Sequence, residues 1–180
     1  MRDFETISTA LVAAETGHLV MSTLHTVDSV ETINRIIVVF PPYQQKQIRL
    51  QLAAVLKGII SLRLVPRADG QWRVPAAEIM IATQTIKECI IDQDRTRKIL
   101  EVVAAGSTHY GMQTFDQSLY SLYQKHLISY EEALQWCTNP DDFALKVKGI
   151  QSTTLDLSLS GEKKMAEVDR DKFKIERFGK

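Results

Sequence analysis

The stretch HLVMSTLHTVDSVETINRII, from His18 to Ile37, decides the fold that this sequence predicts. Its segment Leu19–Leu24, which starts with the apolar run Leu19-Val20-Met21, has the pattern of a buried β-strand. A histidine stands at each end of that segment, with His18 before it and His25 just after it. Asp28 then begins the sequence DSVE, which has the pattern of a capping box at a helix N-terminus. The stretch therefore predicts a strand, a short turn and a helix.

The sequence before and after this stretch predicts further helices and two more strands. RDFETISTALVAAETG has helical spacing and a plausible N-cap at Asp3, and FPP ends one helix while Pro42 begins the next. IISLRLV alternates, which puts Ile60, Leu62 and Leu64 on one strand face. RVPAAEIMIA predicts a returning strand, and Pro75 favours an edge or a bulge there because proline cannot donate a ladder hydrogen bond.

The predicted elements divide the chain into three parts. Residues 1–83 read as the second half of an α/β sheet, since a domain of this kind would have an earlier strand before its first helix. Residues 84–150 show helical patterns only, and we predict an all-helical bundle there. Residues 151–180 are polar and charged without clear periodicity, and we predict a flexible tail.

Bulk composition excludes several classes of protein. The 22 basic and 22 acidic residues cancel, which argues against a chain whose main task is to bind nucleic acid. Cys89 and Cys137 form no metal-ligand pattern, and we expect two reduced thiols. No apolar run is long enough to span a bilayer, and the N-terminus has no signal-peptide pattern. We therefore expect a cytoplasmic protein without direct membrane insertion.

His25 is the strongest candidate for chemistry, because it follows the C-terminal end of a predicted strand. Ligands bind at that edge in open α/β sheets, and the neighbouring Thr23, Thr26 and Asp28 are small and polar. The alternative is an ordinary histidine with a structural hydrogen bond. His18 would lie at the opposite edge, roughly 20 Å away, so the two cannot share a metal ion. The sequence contains no phosphate loop, dinucleotide fingerprint or nucleophile elbow.

Several motifs resemble one family. MRDFETI resembles the end of the Walker B segment of the PilT-type pilus-retraction ATPases in the secretion ATPase superfamily, and TGHLVMSTLHT resembles their His box. FPP followed by a glutamine pair is typical of the retraction branch, and the likeness continues through AAEIMIAT and GMQTFDQSLYSLY to about residue 150. The four-cysteine zinc module that is common in the extension and type II secretion branches is not in this sequence.

The resemblance implies a partial RecA-like fold and an ATP-driven, Mg²⁺-dependent motor. It further implies a hexameric ring that works at the inner face of the bacterial inner membrane, on a platform protein at the base of a type IV pilus. Arg2 and Asp3 match the Walker B tail and His25 the His box, which implies catalytic roles, with His25 facing the nucleotide phosphates or the attacking water. Thr26 is implied to contact the cofactor, and His18 to serve packing or an interface.

Departures from the family pattern limit what the resemblance implies. The phosphate loop, the acidic box and the Walker B glutamate have no counterpart in this sequence, so we predict a C-terminal portion that is inactive alone and binds no cofactor. The alternative is a non-catalytic paralogue or remnant that modulates an intact ring. Where the family has AIRNLIRE, this chain has TIKECIID. Lys87 replaces the first arginine and keeps its charge but not its planar fork, Asp92 replaces the glutamate, and Ile91 replaces the second arginine and loses the charge. Two interpretations therefore stand, a retraction motor and a divergent paralogue.

Overall fold

A computed structural model describes residues 1–149 of the chain. Helices dominate, and the two strands form a single antiparallel hairpin in the middle of the described chain. The elements are α1 (Phe4–Glu15), α2 (Ser29–Val38), α3 (Pro42–Val55), β1 (Gly58–Pro66), β2 (Arg73–Ile81), α4 (Gln84–Ile91), a 3₁₀ helix (Gln93–Lys98), α5 (Ile99–Ala105), α6 (Ser107–Tyr110), α7 (Phe115–Gln124), α8 (Tyr130–Trp136) and α9 (Pro140–Val147).

The helix starts predicted from capping patterns are confirmed. Asp3 caps α1 by accepting the N–H of Thr6, and Asp28 caps α2 by accepting the N–H of Glu31. The return bond at α2 differs from a standard capping box, because the Glu31 carboxylate accepts the N–H of Val27 rather than that of the cap residue. Pro42 begins α3, as predicted from its fixed φ.

The predicted strand at Leu19–Leu24 is wrong. This run is extended but pairs with no strand among the described residues, and Leu19 and Met21 are 83% and 86% exposed. A strand needs neighbours that accept and donate its backbone hydrogen bonds, and here β1 and β2 pair only with each other. The apolar pattern identified a segment suited to a sheet interior, but residues 1–149 provide no sheet around it.

The hairpin of β1 and β2 has a continuous register from Gly58↔Ile81 to Pro66↔Arg73. Pro75 is accommodated without a bulge opposite Leu64, as expected of an edge strand. The outer face of β1 carries the predicted apolar stripe, since Ile60, Leu62 and Leu64 are 69%, 65% and 56% exposed. The face turned inward carries the buried Ser61 and Val65 instead.

Two hydrophobic clusters hold the described chain together, and the hairpin contributes to both. One contains buried side chains of the five helices from α1 through α5, together with Met80 of β2 and Met112. The other joins Val65 and Ala76 of the hairpin to α7, α8 and α9. The buried side chains of α4 belong to the first cluster, so α4 packs with the helices that precede the hairpin. The domain division at residues 83 and 84 stays a prediction.

Candidate functional site

The site begins with a contact between the two ends of the chain's first 25 residues. A guanidinium nitrogen of Arg2 lies 2.8 Å from Nε2 of His25. Arginine can only donate, so Nε2 accepts and the proton of a neutral imidazole resides on Nδ1. Both side chains are exposed, and each is carried at the edge of a well-capped helix, α1 behind Arg2 and α2 after His25.

Arg35 joins these two residues in a small open cavity of about 280 Å³, with Met1 and Leu24 as the other lining residues. No carboxylate lines this cavity, and none of its basic side chains forms an ion pair within residues 1–149. Two guanidinium groups beside one imidazole make a site for an anion, because Arg binds phosphate oxygens with paired N–H groups. We call this cavity the cationic pocket. It has no carboxylate to offer Mg²⁺, which prefers such ligands.

Sequence reasoning missed Arg35. The residue lies in the second turn of α2, ten residues from His25, and its only sequence signal is a single cation just before the apolar stretch IIVVF. The helix turns that side chain back toward the site that opens before the helix begins. A spacing pattern without a fold cannot show this.

The loop between His25 and α2 is held by a dense set of hydrogen bonds. The hydroxyls of Thr26 and Thr32 lie 2.7 Å apart, so Thr26 is engaged within the loop and α2. The N–H of Val27 donates to Glu31 at 2.8 Å, and the N–H of Ser29 donates to the buried carboxylate of Glu78 at 2.7 Å. The backbone that follows His25 is therefore fixed on several sides.

Other predicted site residues lie elsewhere or are already engaged. His18 contacts Thr16 and the carbonyl of Ala13, with its Nδ1 3.1 Å and 3.2 Å away, at the C-terminal end of α1. The Asp3 carboxylate caps α1, and its pKa is lowered by the backbone N–H and then the hydroxyl of Thr6. It is therefore an ionised structural acceptor, and its catalytic role stays a prediction.

Lys87 and Asp92 lie away from the cationic pocket, on α4 and at its C-terminal end. Asp92 caps the following 3₁₀ helix by accepting the N–H of Asp94 at 3.0 Å. The buried guanidinium of Arg49 donates to the carbonyl of Ile90 at 2.9 Å, which fastens this end of α4 to α3. The interface role predicted for Lys87 and Asp92 stays a prediction.

A larger apolar cleft of about 390 Å³ lies between the unpaired extended run and the hairpin. Residues 22–24 line one side, residues 58–62 line the other, and Ile36 and Leu52 are among the helix residues that close it. Within the described residues no helix is long and apolar enough to cross a membrane. Residues 1–149 likewise contain no group of three or more His, Cys, Asp or Glu positioned for a metal ion.

These elements have the fold of part of a RecA-like ATPase domain, and the cationic pocket includes the histidine of the segment that resembles a His box. Residues 1–139 match the family model described as "Type II/IV secretion system protein", and the chain belongs to this family. It is 42% identical over 143 residues to the "Type IV pilus retractation ATPase PilT" of Pseudomonas aeruginosa, over 79% of this chain and 41% of that protein. The "Twitching motility protein" of Neisseria gonorrhoeae is 41% identical over 80% of this chain and 38% of its own length.

Solved structures show the same fold. The crystal structure described as "the Pilus Retraction Motor PilT and Bound ADP" is 44% identical, with a TM-score of 0.65 over 78% of this chain and 38% of that one. The resemblance to retraction ATPases and the partial RecA-like fold are thereby confirmed. The chain spans about two fifths of the length of these relatives, so the activity of the whole relatives is not established for it.

Proposed function

We propose that this chain forms the His-box side of the nucleotide site in an ATP-driven motor that retracts type IV pili. The contact of Arg2 with His25, in one pocket with Arg35, carries the proposal. The pocket suits the terminal phosphates of ATP, between which the bond is broken in hydrolysis. The two guanidinium groups would stabilise the negative charge of these phosphates. The similarity to relatives named for pilus retraction and twitching motility supports this assignment.

Each residue of the pocket has a distinct part in this proposal. Arg2 and Arg35 bind and orient phosphate oxygens, and charge neutralisation by them grows as negative charge builds on the transferred group. His25 offers a neutral imidazole that orients an oxygen of phosphate or water. Mg²⁺ is expected with the nucleotide, but the pocket provides no ligand for it, so we assign the metal to no residue here.

The ring and its partners follow from the same proposal. We propose that the assembled motor is a homo-oligomer, with a hexameric ring as the form expected, which acts on an inner-membrane platform protein at the cytoplasmic face. The exposed stripe of Ile60, Leu62 and Leu64 supports association, because isolated monomers rarely leave such a contiguous apolar face in water.

The first test of the proposal is anion binding by the cationic pocket. We expect tripolyphosphate to bind the purified chain weakly, on the order of millimolar, since an open pocket offers few donors. The replacement Arg35→Ala should weaken this binding about tenfold, because a hydrogen bond from a charged donor is lost. Nuclear magnetic resonance titration that follows the His25 ring measures both affinities.

Arg73→Ala is the matched control for this experiment. Arg73 is an exposed arginine that donates only to the carbonyl of Leu64 in the hairpin, away from the pocket. Its loss should leave the affinity unchanged. Equal weakening by both replacements, or a His25 signal that does not respond to tripolyphosphate, would contradict a phosphate role for this pocket.

A second candidate function rests on the apolar cleft. A chain that keeps an unpaired extended run beside an open cleft could act as a non-catalytic partner that binds an intact pilus or secretion ATPase ring. The two functions differ in the partner that each needs, which is other copies of this chain for the motor and an intact ring for the second function. The cleft offers an unpaired extended run to either partner.

The association itself is a testable expectation. We expect the purified chain to elute from a size-exclusion column above its monomer mass of 20.4 kDa, with light scattering as the mass measurement. Replacing Leu62 by Glu should shift the population toward monomer, because it places a charge in the exposed stripe. Replacing the exposed Trp72, which lies outside the stripe, by Glu is the control. A monomeric wild-type chain at micromolar concentration would argue against the proposed self-association.

A further inference from the structure

The carboxylate of Glu78 is almost fully buried, yet it forms no ion pair among residues 1–149. It lies on β2 and accepts the N–H of Ser29 at 2.7 Å. Ser29 is the first residue of α2, so the carboxylate meets the positive end of the helix dipole. The Ser29 hydroxyl is buried on the same side and makes no hydrogen bond of good geometry in the described structure. An ionisable carboxyl group is therefore buried here, with the backbone N–H of Ser29 as its hydrogen-bond donor.

Arg63 reaches the same loop from the neighbouring strand. Its guanidinium donates to the carbonyl of Trp136 at 3.1 Å and lies 3.5 Å from the carbonyl of Val27. The same group lies 3.8 Å from the ring centroid of Phe115, a cation–π contact. Arg63 therefore connects the loop after His25 with α7 and α8.

The hydrogen bonds of Glu78 and Arg63 differ from the other hydrogen bonds of the loop in the sequence distance that they span. The bonds from Thr26 and Val27 run to Thr32 and Glu31, which belong to α2 itself and move with it. Those of Glu78 and Arg63 come from residues 36 to 49 positions away along the chain. Such long-range bonds, together with the packing of α2 against β2 in the first cluster, set where the loop lies relative to the hairpin and the C-terminal helices.

We propose that Glu78 and Arg63 are positioning residues, which hold the peptide from Val27 to Ser29 so that His25 is presented to the cationic pocket. Neither side chain lines that pocket. The proposal rests on the proposed function for the role of His25, whereas the loop geometry stands without it. Arg63 also makes the position of His25 dependent on the packing of Phe115 and Trp136.

The replacement Glu78→Gln separates positioning from stability. Burial raises the pKa of Glu78, the bond from Ser29 lowers it, and of the charged groups that face it Asp28 raises the pKa and Arg63 lowers it. A carboxyl group whose pKa is raised on folding stabilises the fold below its ordinary pKa of about 4.5, and this contribution is lost as pH rises. At pH 7 the glutamine variant should thus be at least as stable as the wild-type chain.

The loop should nevertheless loosen in Glu78→Gln. We expect the Ser29 amide to exchange its hydrogen about tenfold faster or more, because a neutral amide is a weaker acceptor than a carboxylate. The signals of the His25 ring should shift, and tripolyphosphate should bind more weakly. Asp69→Asn is the matched control, since Asp69 also accepts a backbone N–H, from Gln71 in the hairpin turn, and does not line the cationic pocket.

Arg63 is tested by a second pair of variants. Arg63→Met keeps much of the side-chain volume and removes the donors, and we expect the Val27 and His25 signals to move. Arg63→Lys should restore part of the effect because it keeps the charge over Phe115. The matched control is Arg73→Met, which removes an arginine from the same hairpin that reaches only the Leu64 carbonyl.

One measurement needs no variant and decides the case if a variant fails to fold. In the wild-type chain, the Ser29 amide shift should follow the titration of Glu78, and the signals of the His25 ring should change over the same pH range. A Ser29 signal that shows no titration, or a His25 ring that does not change together with Ser29, would overturn the proposal. Absence of tripolyphosphate binding would remove the role of His25 but would leave the Ser29 result intact.

Discussion

Purified chain is expected to release phosphate from ATP no faster than a blank without protein. The physical reason is that most of the rate enhancement in phosphoryl transfer comes from positioned charges around the phosphates and the metal. This chain supplies Arg2, His25 and Arg35 on one side, but its sequence contains no phosphate loop to hold the triphosphate and no counterpart of the family's Walker B glutamate to position water. The deficit should amount to about a millionfold or more relative to a working enzyme.

A coupled phosphate-release assay with and without Mg²⁺ measures this prediction. His25→Ala serves as the internal control, because it should leave the blank-level rate unchanged in this chain. Magnesium-dependent turnover that His25→Ala abolishes would refute the proposed division of labour, since it would mean that this chain assembles a complete site by itself. Turnover that survives His25→Ala would indicate a contaminating enzyme.

Phe115→Ala is expected to have the largest effect on stability, a loss of about 3–5 kcal/mol in the free energy of unfolding. The ring is almost fully buried at the start of α7, in the cluster that joins the hairpin to α7, α8 and α9. Its loss leaves a cavity and removes the face over which the Arg63 guanidinium lies. Most domains have a stability of only 5–15 kcal/mol, so this loss should largely unfold the C-terminal helices at 37 °C.

Urea unfolding monitored by tryptophan fluorescence tests this expectation, because Trp136 packs in the same cluster. Phe4→Ala is the matched control. Phe4 is 42% exposed and makes an edge-to-face contact with Phe40 at 5.1 Å in the other cluster, so its removal should cost about 1 kcal/mol. Similar losses in both variants would show that the cluster around Phe115 does not stabilise the chain as proposed.

Local chemistry explains which elements could be predicted from the sequence. Asp28, Thr114 and Asn139 each cap a helix as their patterns predict, and at Thr114 both bonds of the capping box form. Ser129 also caps α8, while Glu132 bonds the indole of Trp136 instead of returning to the cap. A cap depends on residues within one turn of helix, so the sequence contains nearly all the information that it needs.

The residues of the candidate site also divide into those that the sequence could predict and those that it could not. His25 could be found from its place after an apolar run and from the His-box motif, although the run forms no strand. Arg35, Arg63 and Glu78 could not be found, because their parts depend on where α2 and the hairpin meet. In the sequence Glu78 is simply a charged residue in an apolar strand, AAEIMI, which would ordinarily suggest a solvent-facing position.

The sequence by itself determined the capped helix starts, the hairpin and the likeness to retraction ATPases, since each depends on residues close together in the chain. Tertiary structure alone decided that Leu19–Leu24 stays unpaired, that Arg2 meets His25, and that Glu78 is buried against the start of α2. Pairing a strand or burying a charge requires partners from distant segments, and their free energy depends on which groups are brought together when water is excluded. The histidines that flank Leu19–Leu24 show the difference, because His18 bonds the end of its own helix and His25 bonds an arginine 23 residues away.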